Sequence, residues 1–284
     1  MENIEWLRSW GWSAARAEAW VDSAGLEPAR VTGAFGSEWS VVCASGSLRA
    51  TARARLRGGE ARSGPVVGDW VALRSDGAVI ESVLPRTSLI VRKAAGEGSQ
   101  AQPLVANADV ALAVMSLDRD FNLRRLERYL AVLYDSGVAP WVVLTKRDLV
   151  KEVDGYLDAV ASVAQGCRVW AVSADTGEAM DALGEALRGH TAVAVGSSGA
   201  GKSTLLNALL GEAVQATGGL DRVGVGRHTT TRREMRRGGD GLVVIDTPGM
   251  RELGLYVVGD GLEAAFADVL AVAQGCRFRD CTHS

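Results

Sequence analysis

The sequence predicts an α/β protein, a mostly parallel sheet with helices on both faces, preceded by a small β-barrel. Three observations carry that prediction. From residue 108 onward, short apolar runs alternate with helical periods, the pattern of strand–helix–strand units. Over 31–93 the apolar runs are shorter and glycines punctuate them, as in a small barrel. Finally, the apolar run Thr191–Val195 leads into a glycine-rich loop and then into a helical segment.

Composition sets the outer bounds. A chain of 284 residues has room for two domains and a small third. Hydrophobic residues make up 47% and charged residues 23%, an ordinary balance for a folded chain. The net charge of −3 excludes a generic polycation, so any nucleic-acid binding must come from a local patch. There is no apolar run behind a basic start and no stretch of membrane-spanning length. Four cysteines without a secretory signal point to a reducing cytoplasm rather than a disulfide framework.

Residues 1–30 read as a helical lead-in, with Ser13 capping a helix from Ala14 to Ala24 and Gly25 stopping it. Trp6, Trp10, Trp12 and Trp20 read as packing residues. Residues 31–93 are the barrel, with strands at Val41–Cys43, Leu48–Leu56, Asp69–Leu73 and Val79–Ile80. On a strand, Arg53, Arg55 and Arg57 share one face. From Gly46 to Lys93 nine Arg/Lys stand against four acids. On charge alone that face suits a nucleic-acid backbone and a solvated barrel wall equally. Residues 94–107 are small and polar and read as a linker.

The remaining elements form the sheet domain, over 108–258. Val110–Met115 is a buried strand, and 122–135 is a helix with Leu123, Leu126, Leu130 and Leu133 on one side. Trp141–Leu144 delivers Thr145-Lys146-Arg147-Asp148, and Val169–Val172 delivers Ser173-Ala174. Thr191–Val195 delivers Gly196-Ser197-Ser198-Gly199-Ala200-Gly201-Lys202-Ser203-Thr204, with a helix from Thr204 to Leu210. Leu242–Ile245 delivers Asp246-Thr247-Pro248-Gly249. Ligands of such sheets bind beyond the carboxyl ends of the strands, where all these motifs fall.

The chemistry follows from the residue types. The glycines of 196–204 let backbone N–H groups face phosphate oxygens, Lys202 brings a cation to the β/γ-phosphates, and the Ser203 hydroxyl ligates Mg²⁺. Asp246 holds the metal, and the Gly249 N–H senses the γ-phosphate. In Thr145–Asp148 the Asp148 carboxylate can accept from the ring N–H and the amine of guanine, a donor pair adenine lacks, while the Lys146 stem covers the base. Thr145 stands where an asparagine is usual, and the backbone of Ser173-Ala174 fits the second base contact. The expected ligand is GTP or GDP with Mg²⁺. The base-reading elements precede the phosphate loop, the reverse of the ordinary GTPase order, which is a circular permutation. A phosphate-loop kinase or ATPase needs no guanine reader. A pure RNA binder with a dead site needs no intact Lys202, Ser203 and Asp246.

With these residues on the page the sequence resembles the bacterial circularly permuted, ribosome-dependent GTPases of small ribosomal subunit biogenesis (the RsgA type). The resemblance runs from about residue 30 to the end, most specifically through Asp120–Leu130, Gly226–Thr231, Asp246–Glu252 and Phe278–His283. It implies an N-terminal OB-fold barrel, a permuted P-loop GTPase domain and a C-terminal zinc-binding extension, here truncated and starting at 259–284. It further implies a monomer that binds 16S rRNA and the 30S subunit, not DNA or membrane, and whose hydrolysis the 30S subunit stimulates. It turns the arginine face toward RNA contact. It assigns zinc, one ion per chain, to Cys276, Cys281 and His283, with the chain stopping before a fourth ligand. Met250 stands where other GTPases carry a glutamine and cannot orient water. His228 is the candidate for that task, beside Thr229, Thr230 and Thr231, of which Thr230 is taken as the catalytic switch threonine.

Overall fold

The computed structural model describes residues 6–20, 25–57, 64–74, 76–93, 101–211 and 233–246. Five strands form the barrel: β1 (Leu26–Phe35), β2 (Glu38–Cys43), β3 (Gly46–Ala52), β4 (Trp70–Arg74) and β5 (Val79–Val83). They lie in the order β1-β2-β3-β5-β4, and β1 pairs again with β4, so the barrel closes. Its interior is the apolar set Ala29, Val31, Val41, Ala50, Val71, Leu73 and Ile80. This closed five-stranded barrel matches the expected OB-fold.

The second half is the predicted parallel sheet. Its strands are β8 (Val110–Ser116), β9 (Ala139–Thr145), β10 (Arg168–Ala171), β11 (Thr191–Val195), β12 (Glu234–Arg237) and β13 (Val243–Asp246). They lie in the order β10-β9-β8-β11-β13-β12, with only β12 antiparallel to its neighbour. Alternate residues feed two cores. Ala111, Ala113, Met115, Val142 and Leu144 pack under α3 (Leu123–Asp135) and α4 (Asp154–Val163). Leu112, Val114, Val143, Ala192 and Ala194 pack under α5 (Met180–Ala186) and α6 (Lys202–Leu209). Helices therefore cover both faces. Among the described residues no helix is long and apolar enough to cross a membrane.

The two halves share one ladder. Gly33 of β1 pairs with Glu234 of β12, so barrel and sheet form a continuous eleven-stranded surface. A buried cation fastens the same junction. Arg30 of β1 is 1% exposed and donates to the Trp10 carbonyl, the Asn107 carbonyl (2.9 Å) and the Thr191 hydroxyl (3.1 Å). Burial pulls its pKa down to about 9, against the pull of Asp109. Thr191 is the first residue of β11, the strand that ends in the phosphate loop.

Several expectations need correction. The lead-in helix α1 covers Ala14–Ala19, with Ser13 as its N-cap as predicted, and ends at Trp20 rather than Ala24. The barrel begins at Leu26 instead of residue 31. The strand expected over Leu48–Leu56 stops at Ala52, and α2 (Ala54–Arg57) follows. Arg53, Arg55 and Arg57 therefore do not share a strand face. Arg53 pairs with Glu81 at 2.5 Å and Arg55 donates to the Glu81 carbonyl at 2.9 Å, contacts that fasten the start of the helix to β5. The linker read over 94–107 carries β7 (Ala101–Ala106), antiparallel to β6 (Leu89–Lys93). Leu104, Val105 and Ala106 are buried there, and Pro103 sits where the register shifts, the kind of place a strand tolerates proline. Of the tryptophans, Trp12 packs on Trp70 beside Trp10 and Trp20, while Trp6 stays 36% exposed.

Candidate nucleotide site

The carboxyl ends of β8, β9, β10, β11 and β13 lie side by side, because all five strands are parallel and adjacent. That brings the base-reading residues, the phosphate loop and Asp246 to one edge of the sheet.

The loop 196–201 needs glycine at particular points. A side chain at Gly196 would lie 2.3 Å from the Val114 carbonyl oxygen on the neighbouring strand. Gly201 has φ +84 and abuts the Thr145 side chain. Gly201 also caps α6 without a side-chain bond, so the first N–H groups of that helix have no side-chain cap. The Lys202 ammonium donates to the carbonyls of Gly196 (2.8 Å) and Ser197 (2.5 Å). Ser203 is exposed on the first turn. Ser198 and Gly199 are exposed at the tip, Ala200 is buried, and Thr204 lies half-buried.

The base-reading element is locked onto that loop. The Thr145 hydroxyl is buried and donates to the Ala200 carbonyl at 2.7 Å. The usual asparagine is therefore replaced by a shorter group that serves the loop. Lys146 takes a left-handed conformation, φ 59, and its ammonium reaches the Gly199 carbonyl at 3.0 Å and Asp118 at 2.8 Å. Asp148 is exposed and accepts a 2.6 Å hydrogen bond from the buried Ser173 hydroxyl. Ser173 thus orients the carboxylate, while its own N–H goes to the Glu178 carbonyl. Ala174 lies half-buried beside it. The Arg147 guanidinium donates to the Val150 carbonyl and lies 3.7 Å from Glu178, so it braces the turn.

Asp246 ends β13, next to β11. Burial pushes its carboxyl up, Arg236 draws it down, Glu234 pushes it up and Lys202 draws it down. An exposed hydroxyl at the start of α6 and a carboxylate at the end of the adjacent strand are an oxygen donor set that suits Mg²⁺. His228, Thr229, Thr230, Thr231, Gly249, Met250, Cys276, Cys281 and His283 lie outside the described residues. Among the described residues no cluster of three or more His, Cys, Asp or Glu side chains that could hold a metal ion is found.

Two carboxylates that contact these motifs were not singled out in the sequence. Asp118 and Asp120 follow β8 directly. Asp118 also accepts from the Ser116 hydroxyl (2.7 Å) and the Asp120 N–H (2.9 Å). Asp120 accepts from the Ser197 hydroxyl at 2.5 Å and from Arg125 at 2.6 Å. Their signal was available: two carboxylates just past the end of a central buried strand, where ligands of such sheets sit.

A phosphate loop between a parallel strand and an uncapped helix, with the Thr145–Asp148 turn beside it, defines a P-loop nucleotide-binding protein in permuted strand order. The chain belongs to the RsgA GTPase family, whose pattern covers residues 83–256. It is 43% identical to the "Small ribosomal subunit biogenesis GTPase RsgA" of Streptomyces coelicolor over 98% of its length and 78% of that protein. It is 41% identical to the protein of the same name from Methanosarcina acetivorans, over 89% of this chain and 71% of that one. Among solved structures, YjeQ from Thermotoga maritima superposes with a TM-score of 0.67 at 25% identity, covering 91% of this chain and 87% of that one. YloQ, described as a circularly permuted GTPase, superposes with a TM-score of 0.64 at 23% identity, over 93% of this chain and 87% of its own, and shares the fold.

Proposed function

We propose that the chain hydrolyses GTP at the carboxyl edge of the sheet and works in the biogenesis of the small ribosomal subunit. The activity and the process follow from membership of the RsgA family and the names its relatives carry. The residue roles rest on geometry. The observation that carries them is the lock between the two motifs: Thr145 on Ala200 and Lys146 on Gly199. It fixes the distance between the base end and the phosphate end of one bound nucleotide.

Asp148, held by Ser173, accepts the two donors of guanine. Lys146 lays its stem along the base. On binding, the Lys202 ammonium exchanges the Gly196 and Ser197 carbonyls for phosphate oxygens, and the N–H groups of 196–204 complete the cradle. Ser203 and Asp246 would hold Mg²⁺, which would supply positive charge beside the phosphates. His228 orients the attacking water, Thr230 closes over the γ-phosphate, and Gly249 senses it.

In the same reading the partners are the 30S subunit and 16S rRNA, met through the barrel's basic residues and stimulating turnover. The protein acts as a monomer in the cytoplasm. Zinc belongs to Cys276, Cys281 and His283. The other cysteines serve elsewhere: Cys43 is buried in the barrel beside Ser45, and Cys167 contacts Tyr134.

The test is GTP turnover with and without 30S subunits, alongside Asp148→Asn. Stimulated turnover is expected, and the variant should shift preference toward xanthosine nucleotides, whose 2-oxo group accepts from the new amide. Equal binding of ATP and GTP by the unaltered protein would overturn the guanine assignment. His228→Ala should keep near-normal GTP affinity and lose the stimulation; stimulated turnover that survives the substitution would remove His228 from the reaction.

A further inference from the structure

The turn after β8 touches both halves of the nucleotide site. Asp118 receives the Lys146 ammonium at 2.8 Å, and Asp120, two residues on, receives the Ser197 hydroxyl of the phosphate loop at 2.5 Å. Neither carboxylate hangs free. Asp118 is fixed by the Ser116 hydroxyl and the Asp120 N–H. Asp120 is fixed by Arg125 on the first turn of α3, whose N-cap is Asn122. The strand behind them is buried along its whole length, and it lies between β9 and β11, the strands that carry the two motifs.

We propose that Asp118 and Asp120 are positioning residues for the nucleotide. Asp118 holds Lys146 in the pose that covers the base, and Asp120 holds Ser197, so that one rigid turn sets the base reader and the phosphate loop in register before ligand arrives. The inference rests on the nucleotide site proposed above. The physical ground is preorganisation. A lysine stem has many rotamers, and an ammonium already tethered at its tip loses less entropy when a base slides beneath it. The two tethers on Lys146, Asp118 and the Gly199 carbonyl, fix the direction of the stem.

The experiment measures affinity for fluorescent GDP and GTP by titration in the full chain. The variants are Asp118→Asn, Lys146→Met and the double variant, with Asp120→Asn and Ser197→Ala as the second cycle. Asparagine keeps the acceptor for Ser116 and turns an amide toward the ammonium, so it removes the Lys146 contact alone. Asp118→Asn should weaken GDP and GTP alike, by roughly fivefold, the weight of one partly exposed ion pair. The loss should appear in KM more than in kcat, and the double variant should bind no worse than Lys146→Met. Asp118→Glu should recover part of the loss. Additive losses, unchanged affinity or tighter binding would each overturn the proposal; tighter binding would mean that Asp118 competes with the nucleotide for Lys146. If Asp118→Asn lowers the melting temperature, the Asp120–Ser197 cycle carries the same test from the other end. Parent protein that binds no guanine nucleotide would instead sink the site assignment and leave the two failures distinct.

Discussion

The barrel and the carboxyl edge of the sheet are both rich in charge and use it differently. In the barrel Asp69 is 0% exposed and is clamped by Arg86 at 2.7 and 2.8 Å and by the Val66 N–H at 2.8 Å. Glu81 gathers Arg53 and Arg74, and there only the carboxylate is covered: the arginines stay 51% and 40% exposed. At the sheet edge the paired groups are Lys146 with Asp118 and Ser173 with Asp148, and Lys146, Asp118 and Asp148 all reach solvent. Burial makes the difference. A sealed pair holds a wall, whereas an accessible pair can exchange its partner for a ligand.

Four substitutions or titrations break or sharpen that contrast. Lys202→Ala should lower GTP turnover by about a thousandfold, since a charge aimed at the reacting phosphate is lost. Its melting temperature should move far less than its turnover, as the Gly196 and Ser197 carbonyls it holds belong to the same loop. A large drop in stability with normal turnover would reverse the contrast. Asp69→Ala should do the opposite. It takes the carboxylate from the Arg86 guanidinium, 14% exposed, which keeps the Gly64 carbonyl, so urea unfolding should show a loss of about 3 kcal/mol with guanine-nucleotide affinity intact.

Arg53→Ala with Arg55→Ala tests a barrel pair that is not sealed, because Arg53 is 51% exposed while paired. Stability should fall by less than about 1 kcal/mol. If the pair also meets RNA phosphate, the slope of log affinity against log salt for small-subunit binding should drop by at most about two. An unchanged slope would leave both residues as wall.

The smallest effect concerns pH. The hydrogen bond from Lys146, then the Asp120 N–H, then Ser116 hold the Asp118 carboxyl down from 3.8 to about 2. A depressed carboxyl stabilises the folded state above its unfolded value and loses that contribution as pH falls through the folded one. Asp118 should thus add no pH dependence to nucleotide affinity between about pH 5 and 8. A carboxyl carbon titration by NMR should place its midpoint near 2. A midpoint near the ordinary value would mean the pair with Lys146 does not persist in solution.

The same contrast explains what could be read from the sequence. Val110–Met115, Trp141–Leu144 and Thr191–Val195 are covered on both faces, so they are unbroken apolar runs and their strands were legible. The placement of the phosphate loop and Thr145–Asp148 at one edge was legible because each directly follows such a strand. The barrel was harder. Alternation beginning at Leu48 continues past Ala52 only because α2 begins there, and pattern alone does not separate the two. β12, Glu-Met-Arg-Arg, has one buried side chain, Met235, and no strand-like run. The partners of Thr145, Asp118 and Asp120 lie 55, 28 and 77 residues away, a separation no local pattern encodes.

The seam between Gly33 and Glu234 sets an order in time. During synthesis β1 emerges first and finds β2 and β3 within a few residues, so the barrel closes from nearby pieces. Its pairing to β12 must wait for about two hundred further residues. Among the described residues that join is a late one, and it welds the barrel to the hairpin of β12 and β13, the strand that ends in Asp246. A chain stalled before that point carries a finished barrel and an unfinished nucleotide site.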